Sequence, residues 1–256
     1  YFGDTALYRK IFLAIAPDLS QILSPFIRGE KDPGFTAVMI LMKAVIGNAD
    51  KLFFLLIAAF QLICIALVLR RYTADYWPCI FLFIVSTDYL SWMFNGMRQF
   101  IATAMIFGAF DLMVRRKHIA FALVVLLAAQ IHGSAILMLP LAYIMHGPAL
   151  NRKTILMIVG TVLLIPFIDR FTPILNELLS DTQYSTTMTD EIWTVDDGTN
   201  PIRVLVYSVP ALIALFGRKH IVRANDPVIN MCVNASMITM AIYLISMVTS
   251  GIYVGR

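Results

Sequence analysis

The chain has 256 residues, of which 59% are hydrophobic and 14% charged, with a mean hydropathy of +0.79. A soluble domain carries about 25% charged residues, so this composition excludes a water-soluble enzyme, a nucleic-acid-binding module and a secreted disulfide scaffold. The net charge of +4 and the pI near 9.0 come from short basic clusters between apolar runs, the pattern that orients membrane proteins rather than one that grips nucleic acid.

A helix rises 1.5 Å per residue and needs about 20 apolar residues to cross a ~30 Å hydrocarbon core. In chain order, the runs 52–69, 77–94, 98–114, 154–168, 202–216 and 227–248 are predicted spans. The run 36–46 is shorter, contains Lys43, and reads as interfacial or partly inserted. The run 119–145 is too long for one upright span and too short for two. The chain opens on Tyr1 and closes on Tyr253-Val254-Gly255-Arg256, which reads as mid-segment, so residues are expected to be missing at both ends. Cys64, Cys79 and Cys232 lie in or beside apolar runs and are expected to be small core residues, because no Cys or His spacing suggests a metal cage.

Charge placement resolves the topology. Arg70-Arg71, Arg115-Arg116-Lys117, Arg152-Lys153 and Arg218, Lys219 and Arg223 hold ten of the twenty basic residues. If all four clusters are cytoplasmic, the acidic loop containing Glu177, Asp181, Asp190, Glu191, Asp196 and Asp197 faces outward, as the positive-inside rule requires. Parity then makes 119–145 enter and leave on one side. It is expected to be a broken or re-entrant helix pair meeting at Gln130-Ile131-His132-Gly133-Ser134. Non-helical backbone at that depth must be buried in protein or line a wet cavity. The rival is a single tilted helix; a cysteine at position 151, labelled from either side, separates the two. This topology puts residues 1–32, the 95–98 turn and the Thr-, Asp- and Ser-rich 169–201 loop outside, in one domain spanning 1–256. That loop is either a lid or poorly ordered.

Polar groups in or beside membrane segments are costly and therefore informative. Asn95, Arg98 and Gln99 stand at i, i+3 and i+4, on one face of a helix start. A guanidinium there suits a phosphate or diphosphate, or it snorkels to water and orients the helix. His132, between two apolar runs, is either a general base or a hydrogen-bonded closure of the helix break beside Gln130 and Ser134. Asp4 and Tyr8, and Glu30, Lys31 and Asp32 before Pro33-Gly34-Phe35, are candidate sugar contacts or plain solvated charges. Asp88 stands near the outer end of its run and could join the site. Asp111 is expected to pair with Arg115 at i, i+4. Arg203 and Arg256 could add positive charge outside. His118, His146 and His220 sit beside basic loops and read as interfacial.

Two of these runs carry a family resemblance. Asn95-Gly96-Met97-Arg98-Gln99-Phe100-Ile101-Ala102 and Ala128-Ala129-Gln130-Ile131-His132-Gly133-Ser134-Ala135 resemble the paired motifs of the EpsG / Wzy-type polysaccharide polymerases. Gly3-Asp4-Thr5-Ala6-Leu7-Tyr8 looks like that family's D-x-x-x-Y element, and Asp32-Pro33-Gly34-Phe35 like its acidic-Pro/Gly-Phe element, with Asp where Glu is common. Arg256 is similar to an Arg that begins another external stretch. The resemblance covers Asp4 to about Tyr143 and weakens beyond Asn151.

What it implies is an all-α, polytopic helical integral membrane protein, GT-C-like, in the bacterial cytoplasmic (inner) membrane with its site toward the outer face. Its substrate would be an undecaprenyl-diphosphate-linked oligosaccharide, polymerised into an O-antigen or exopolysaccharide, with no cofactor and no metal. Arg98 would meet the lipid diphosphate; His132 or Asp4 would be the base. Asn95, Gln99, Tyr8, Asp32, Arg203 and Arg256 would contact substrate. A chain-length regulator or a flippase would be possible partners, and nucleic acid none. An O-antigen ligase-type transferase is the nearest alternative, distinguished by the acceptor. A lipid-linked glycan transporter or flippase predicts inverted repeats, and none is visible.

Overall fold

The computed structural model describes residues 3–86, 88–165 and 199–247; most of the 169–201 loop and Arg256 lie outside the described residues. Among the described residues every regular element is helical, and the chain is an all-α polytopic membrane protein. The helices form two compact units, Tyr1–Pro140 and Leu141–Arg256.

The first unit begins with α1 (Thr5–Ala14), then a short 3-10 turn and α2 (Ser24–Ile27), the direction changing by 114° between them. Next comes α3 (Pro33–Ile46), which starts at a proline whose missing N–H would have no helical partner anyway. It stops at Gly47, φ +63°. α3 is about 21 Å long, short of a full crossing. Its Lys43, expected at an interface, is instead buried: Nζ donates to Leu13 O at 3.2 Å and Asn48 Oδ1 at 2.5 Å, over the Phe12 ring. The charge is satisfied inside the protein rather than in water.

Among the described residues the longest helix is α4 (Asp50–Tyr72), with 23 residues, an acid in its first turn and Arg70 and Arg71 in its last, matching the helix dipole. At 1.5 Å per residue it is about 35 Å long, enough to cross a bilayer core. The run 77–94, expected as one span, is divided into α5 (Tyr76–Val85) and α6 (Asp88–Trp92). Ser86 Oγ bonds back to Phe83 O at 2.9 Å, and a hydroxyl that competes for backbone acceptors weakens the helix end there. The run 98–114 likewise forms α7 (Met97–Gly108) and α8 (Phe110–Val114). Residues of α7 pack between α4 and α9 (His118–Ile131). Small side chains let the helices approach: Ala102, Ala104 and Ala128 are buried, and a Cβ on Gly108 would touch Cys64 Sγ at 3.4 Å. Phe12 and Phe53, fully buried, stack at 4.4 Å.

The run 119–145 is broken as the charge pattern anticipates. α9 ends at Ile131, His132 is extended (φ −154°, ψ 114°), and a 3-10 stretch over Gly133–Leu137 leads into α10 (Met138–Met145). The break falls within the predicted 130–134 stretch.

In the second unit, α11 (Arg152–Leu164), α12 (Pro201–Phe216) and α14 (Pro227–Ser246) pack together, and α13 (Arg218–Ala224) turns 69° from α12. Asn151, Asn200 and Asp226 cap α11, α12 and α14 through side-chain oxygens that accept from free first-turn N–H groups. The fully buried Asn234 of α14 closes the loop before α11: it accepts from Leu150 N at 2.8 Å and donates to Met145 O and Pro148 O.

Candidate functional site

Four side chains from distant parts of the first unit meet where α1, α3, α7 and the α9 break come together. Their anchor is Asp32, just before α3. Its backbone is left-handed (φ 55°, ψ 54°), a conformation that Asp tolerates better than most residues. The side chain is 4% exposed. Oδ2 accepts from Arg98 Nη1 at 2.7 Å, and Oδ1 accepts from the Gly133 N–H at 3.0 Å. His132 Nδ1 lies 3.8 Å from Oδ2, beyond hydrogen-bond reach, and is buried without a hydrogen-bond partner.

Arg98 reaches this carboxylate from the first turn of α7. Gly96 precedes it at φ +136°, a conformation open essentially to glycine, which turns the chain sharply into the helix. Arg98 Nε also donates to the Tyr8 hydroxyl at 3.1 Å. Tyr8 is buried in α1 and set edge-on against Phe35 of α3, with ring centroids 5.4 Å apart. A guanidinium has five N–H donors, more than these two bonds use.

Gly34 is what permits the assembly. A Cβ there would stand 2.7 Å from Gln130 Cβ and 2.9 Å from Gln130 O, so only a glycine lets α3 touch the end of α9. That contact brings Asp32 up against the His132–Gly133 break. Gly3 does similar work nearby, lying so close to Asn95 that a Cβ would meet its side chain at 2.9 Å.

The electrostatics are those of an ion pair sheltered from water. Burial acts to raise the Asp32 carboxyl, but the adjacent His132 ring, the Arg98 charge and the Gly133 N–H together outweigh it and hold it below the usual carboxylate range. The Lys31 ammonium is lowered, first by partial burial and then by the Arg98 charge, with Asp32 opposing. Sequence reasoning left Lys31 open between a sugar contact and a solvated charge, and its side chain is exposed beside the buried Asp32.

Of the sequence-predicted residues, Arg98, His132, Asp32 and Tyr8 converge. Asn95 lies against Gly3, and Gln99 is half-buried in the first turn of α7. Asp4 is exposed, before α1, with no side-chain cap bond. Arg203 belongs to the second unit, over the Tyr207 ring of its own helix. Arg256 lies outside the described residues. Glu30 pairs with Arg28 at 3.3 Å on the surface. Among the described residues, no three His, Cys, Asp or Glu side chains gather as a metal ion would require. The arrangement offers a cation, an imidazole nitrogen beside a carboxylate, and a stretch of non-helical backbone.

No curated protein and no solved structure matches the chain. A family model does, over residues 2–256, which include every residue of the cluster, and the description of that model is the EpsG family. The chain therefore belongs to the EpsG family, membrane proteins of the polysaccharide-polymerase type.

Proposed function

We propose that the chain is a membrane glycosyltransferase that polymerises undecaprenyl-diphosphate-linked oligosaccharide repeat units at the outer face of the bacterial cytoplasmic membrane. The observation that carries this reading is the Arg98–Asp32–His132 cluster, in which one cation and one potential base stand on the same buried carboxylate. Transfer from a lipid diphosphate makes two demands, a stabilised leaving group and an acceptor hydroxyl relieved of its proton, and the cluster has a group for each.

In this reading the acceptor hydroxyl oxygen attacks the anomeric carbon of the growing chain, and the bond from that carbon to the diphosphate oxygen breaks. The diphosphate leaves with the electron pair. Arg98, a fixed fork held by Tyr8 and Asp32, stabilises the charge that develops on it, the kind of preorganised electrostatics that dominates such steps. Lys31, next to Asp32 in the chain, adds a second positive charge. His132 takes the acceptor proton on Nε2, while Asp32, on its Nδ1 side, favours the imidazolium that results. This assigns the base to His132 rather than to the exposed Asp4. Gln99, in the first turn of α7, and Asn95, just before the Gly96 turn that starts it, orient sugar or phosphate oxygens.

The test is direct. Purified protein given lipid-linked repeat units should produce a ladder of polymer and release lipid diphosphate. Transfer to a different acceptor, or none in a folded protein, would refute the reading.

A further inference from the structure

Gln61 stands halfway along the 23-residue α4 and is fully buried. Its Oε1 accepts from the Tyr89 hydroxyl of α6 at 3.0 Å, while its Nε2 is buried with no hydrogen-bond partner. The same hydroxyl lies 3.2 Å from Phe100 O, a carbonyl in the first turn of α7. A hydroxyl has one proton, so it serves one of these acceptors at a time. Turned end for end, the Gln61 carboxamide donates from Nε2 to the Tyr89 oxygen, and the hydroxyl is free to donate to Phe100 O. That gives a chain of donors running from α4 through α6 to α7. In either orientation one end of the amide has no partner.

A polar group left half-satisfied inside a membrane protein is costly. A methionine of similar length would fill the same space without that cost, so packing alone does not account for Gln61. What the pair holds is the segment that carries Arg98. Arg98 lies two residues before Phe100 in the same helical turn, about 3 Å along the axis. The Tyr89 ring stands edge-on to Phe100 with centroids 4.9 Å apart, and Phe54 of α4 stands edge-on to Phe94 at 6.4 Å. α4 thus grips the chain on both sides of the Gly96 turn. Asp32 and Tyr8 fix the Arg98 guanidinium; the α4 side fixes the backbone it hangs from.

We propose that Gln61 and Tyr89 are positioning residues for Arg98, holding the first turn of α7 where its guanidinium meets Asp32. The kinetic consequence rests on the polymerase reading; the hold on Arg98 does not.

Three variants of the full chain test this. Gln61→Met strands no group, because Tyr89 keeps Phe100 O, so its melting temperature should stay near wild type. Its kcat should nevertheless fall by ~10- to 100-fold, the scale of a misplacement near 1 Å, with KM within about twofold. Tyr89→Phe leaves the carboxamide stranded and should lose both melting temperature and kcat. The double variant removes both polar groups and should regain the melting temperature but not kcat. Wild-type kcat in Gln61→Met, or recovery of kcat together with stability in the double variant, makes the pair a packing feature only and overturns the proposal. A measurement without turnover separates the two readings. Phenylglyoxal, which condenses with guanidinium groups, should modify Arg98 faster in Gln61→Met than in wild type, with Arg71 and Arg115 modified at unchanged rates, as read by peptide mass spectrometry. Equal Arg98 rates overturn the proposal. Faster Arg98 modification in a chain whose wild type makes no polymer retains the positioning role and refutes the polymerase reading; polymer with equal rates does the reverse.

Discussion

Two clusters in the first unit are built from almost the same side chains. In one, Asp32 is bonded to Arg98, which also holds Tyr8. In the other, Asp111 is paired with Arg71 at 3.0 Å and Arg115 at 2.9 Å, and accepts from the Tyr72 hydroxyl. The difference is shelter. The Asp32 side chain is 4% exposed and that of Arg98 30%, whereas Asp111 is 26% exposed and its two arginines about half. The Asp111 cluster also spans less of the chain: Arg115 is one turn along, and Tyr72, with Arg71 before it, ends a helix 39 residues away. The Asp32 cluster joins segments 66 and 101 residues apart and adds an imidazole with no partner on Nδ1. Ion pairs exposed like those of Asp111 are weakened by water and salt, and they suit the end of a helix bundle. A buried pair beside an unpartnered imidazole and a broken helix suits chemistry. Composition does not separate a site from a brace; burial and convergence do.

The contrast breaks most visibly through Arg98 and His132. Arg98→Ala should lower polymer formation by about 10²–10³-fold, the scale of losing one preorganised charge-stabilising donor. Removing one partner of a buried pair also costs about 3–5 kcal/mol, so Arg98→Lys is the cleaner variant. It keeps the charge, loses the fork, and should remain well below wild type while inserting normally. His132→Ala should cost about 10²–10⁴-fold, the range of general-base catalysis, with substrate binding retained. Polymer ladders from membranes with matched protein levels check all three. Wild-type ladders from His132→Ala would reduce His132 to a structural closure of the helix break.

Next in size is Gly34→Val. With a Cβ already 2.7 Å from Gln130 Cβ, the larger side chain must push α3 away from α9. Overpacking of this kind costs about 1–3 kcal/mol, and here it also pulls Asp32 from His132. Activity should therefore fall much further than the melting temperature, and measuring both on one detergent-purified sample tests the claim.

Acidification should read out the Asp32 pairing directly. A carboxyl whose folded value is lowered stabilises the fold fully above the ordinary Asp value of about 4, and that contribution is lost as pH falls through the lowered value. Wild type should thus lose stability on going from pH 5 toward strong acid by more than Asp32→Asn does. Parallel pH–melting curves for the two proteins would disprove the coupling.

Much of this was legible in the sequence, and the boundary is physical. Apolar run length gave α4 and α14 as spans, because hydrocarbon thickness sets helix length. Charge parity required a break in 119–145, the Gln130–Ser134 stretch was where it was expected, and the i, i+4 rule found Asp111 with Arg115. The divisions after Val85 and at Ala109 were not legible, since Ser86 and Ala109 do not in themselves forbid a helix. Nor was the central role of Asp32. The resemblance marked it as a substrate contact, but nothing local showed that it would hold Arg98 and the His132–Gly133 break together. What distinguishes it is Gly34, whose missing side chain matters only once α9 lies against it. Long-range contacts of that kind leave a trace in sequence only as a glycine whose reason is not yet visible.

The smallest effect completes the contrast. Asp111→Asn removes the charge that Arg71 and Arg115 share while preserving a side chain that can still accept from Tyr72. Both arginines are half-exposed and can turn to water or to lipid phosphates, so no charge is stranded. Polymer yield should stay close to wild type, and so should the melting temperature in salt, where the exposed pairs are already screened. Asp32→Asn, the same chemical change, leaves Arg98 sheltered without its counter-charge and His132 without its carboxylate, and should lose most of the activity. If the two variants behaved alike, shelter would not be what separates the clusters, and the Asp32 cluster would have no better claim to the chemistry than the Asp111 one.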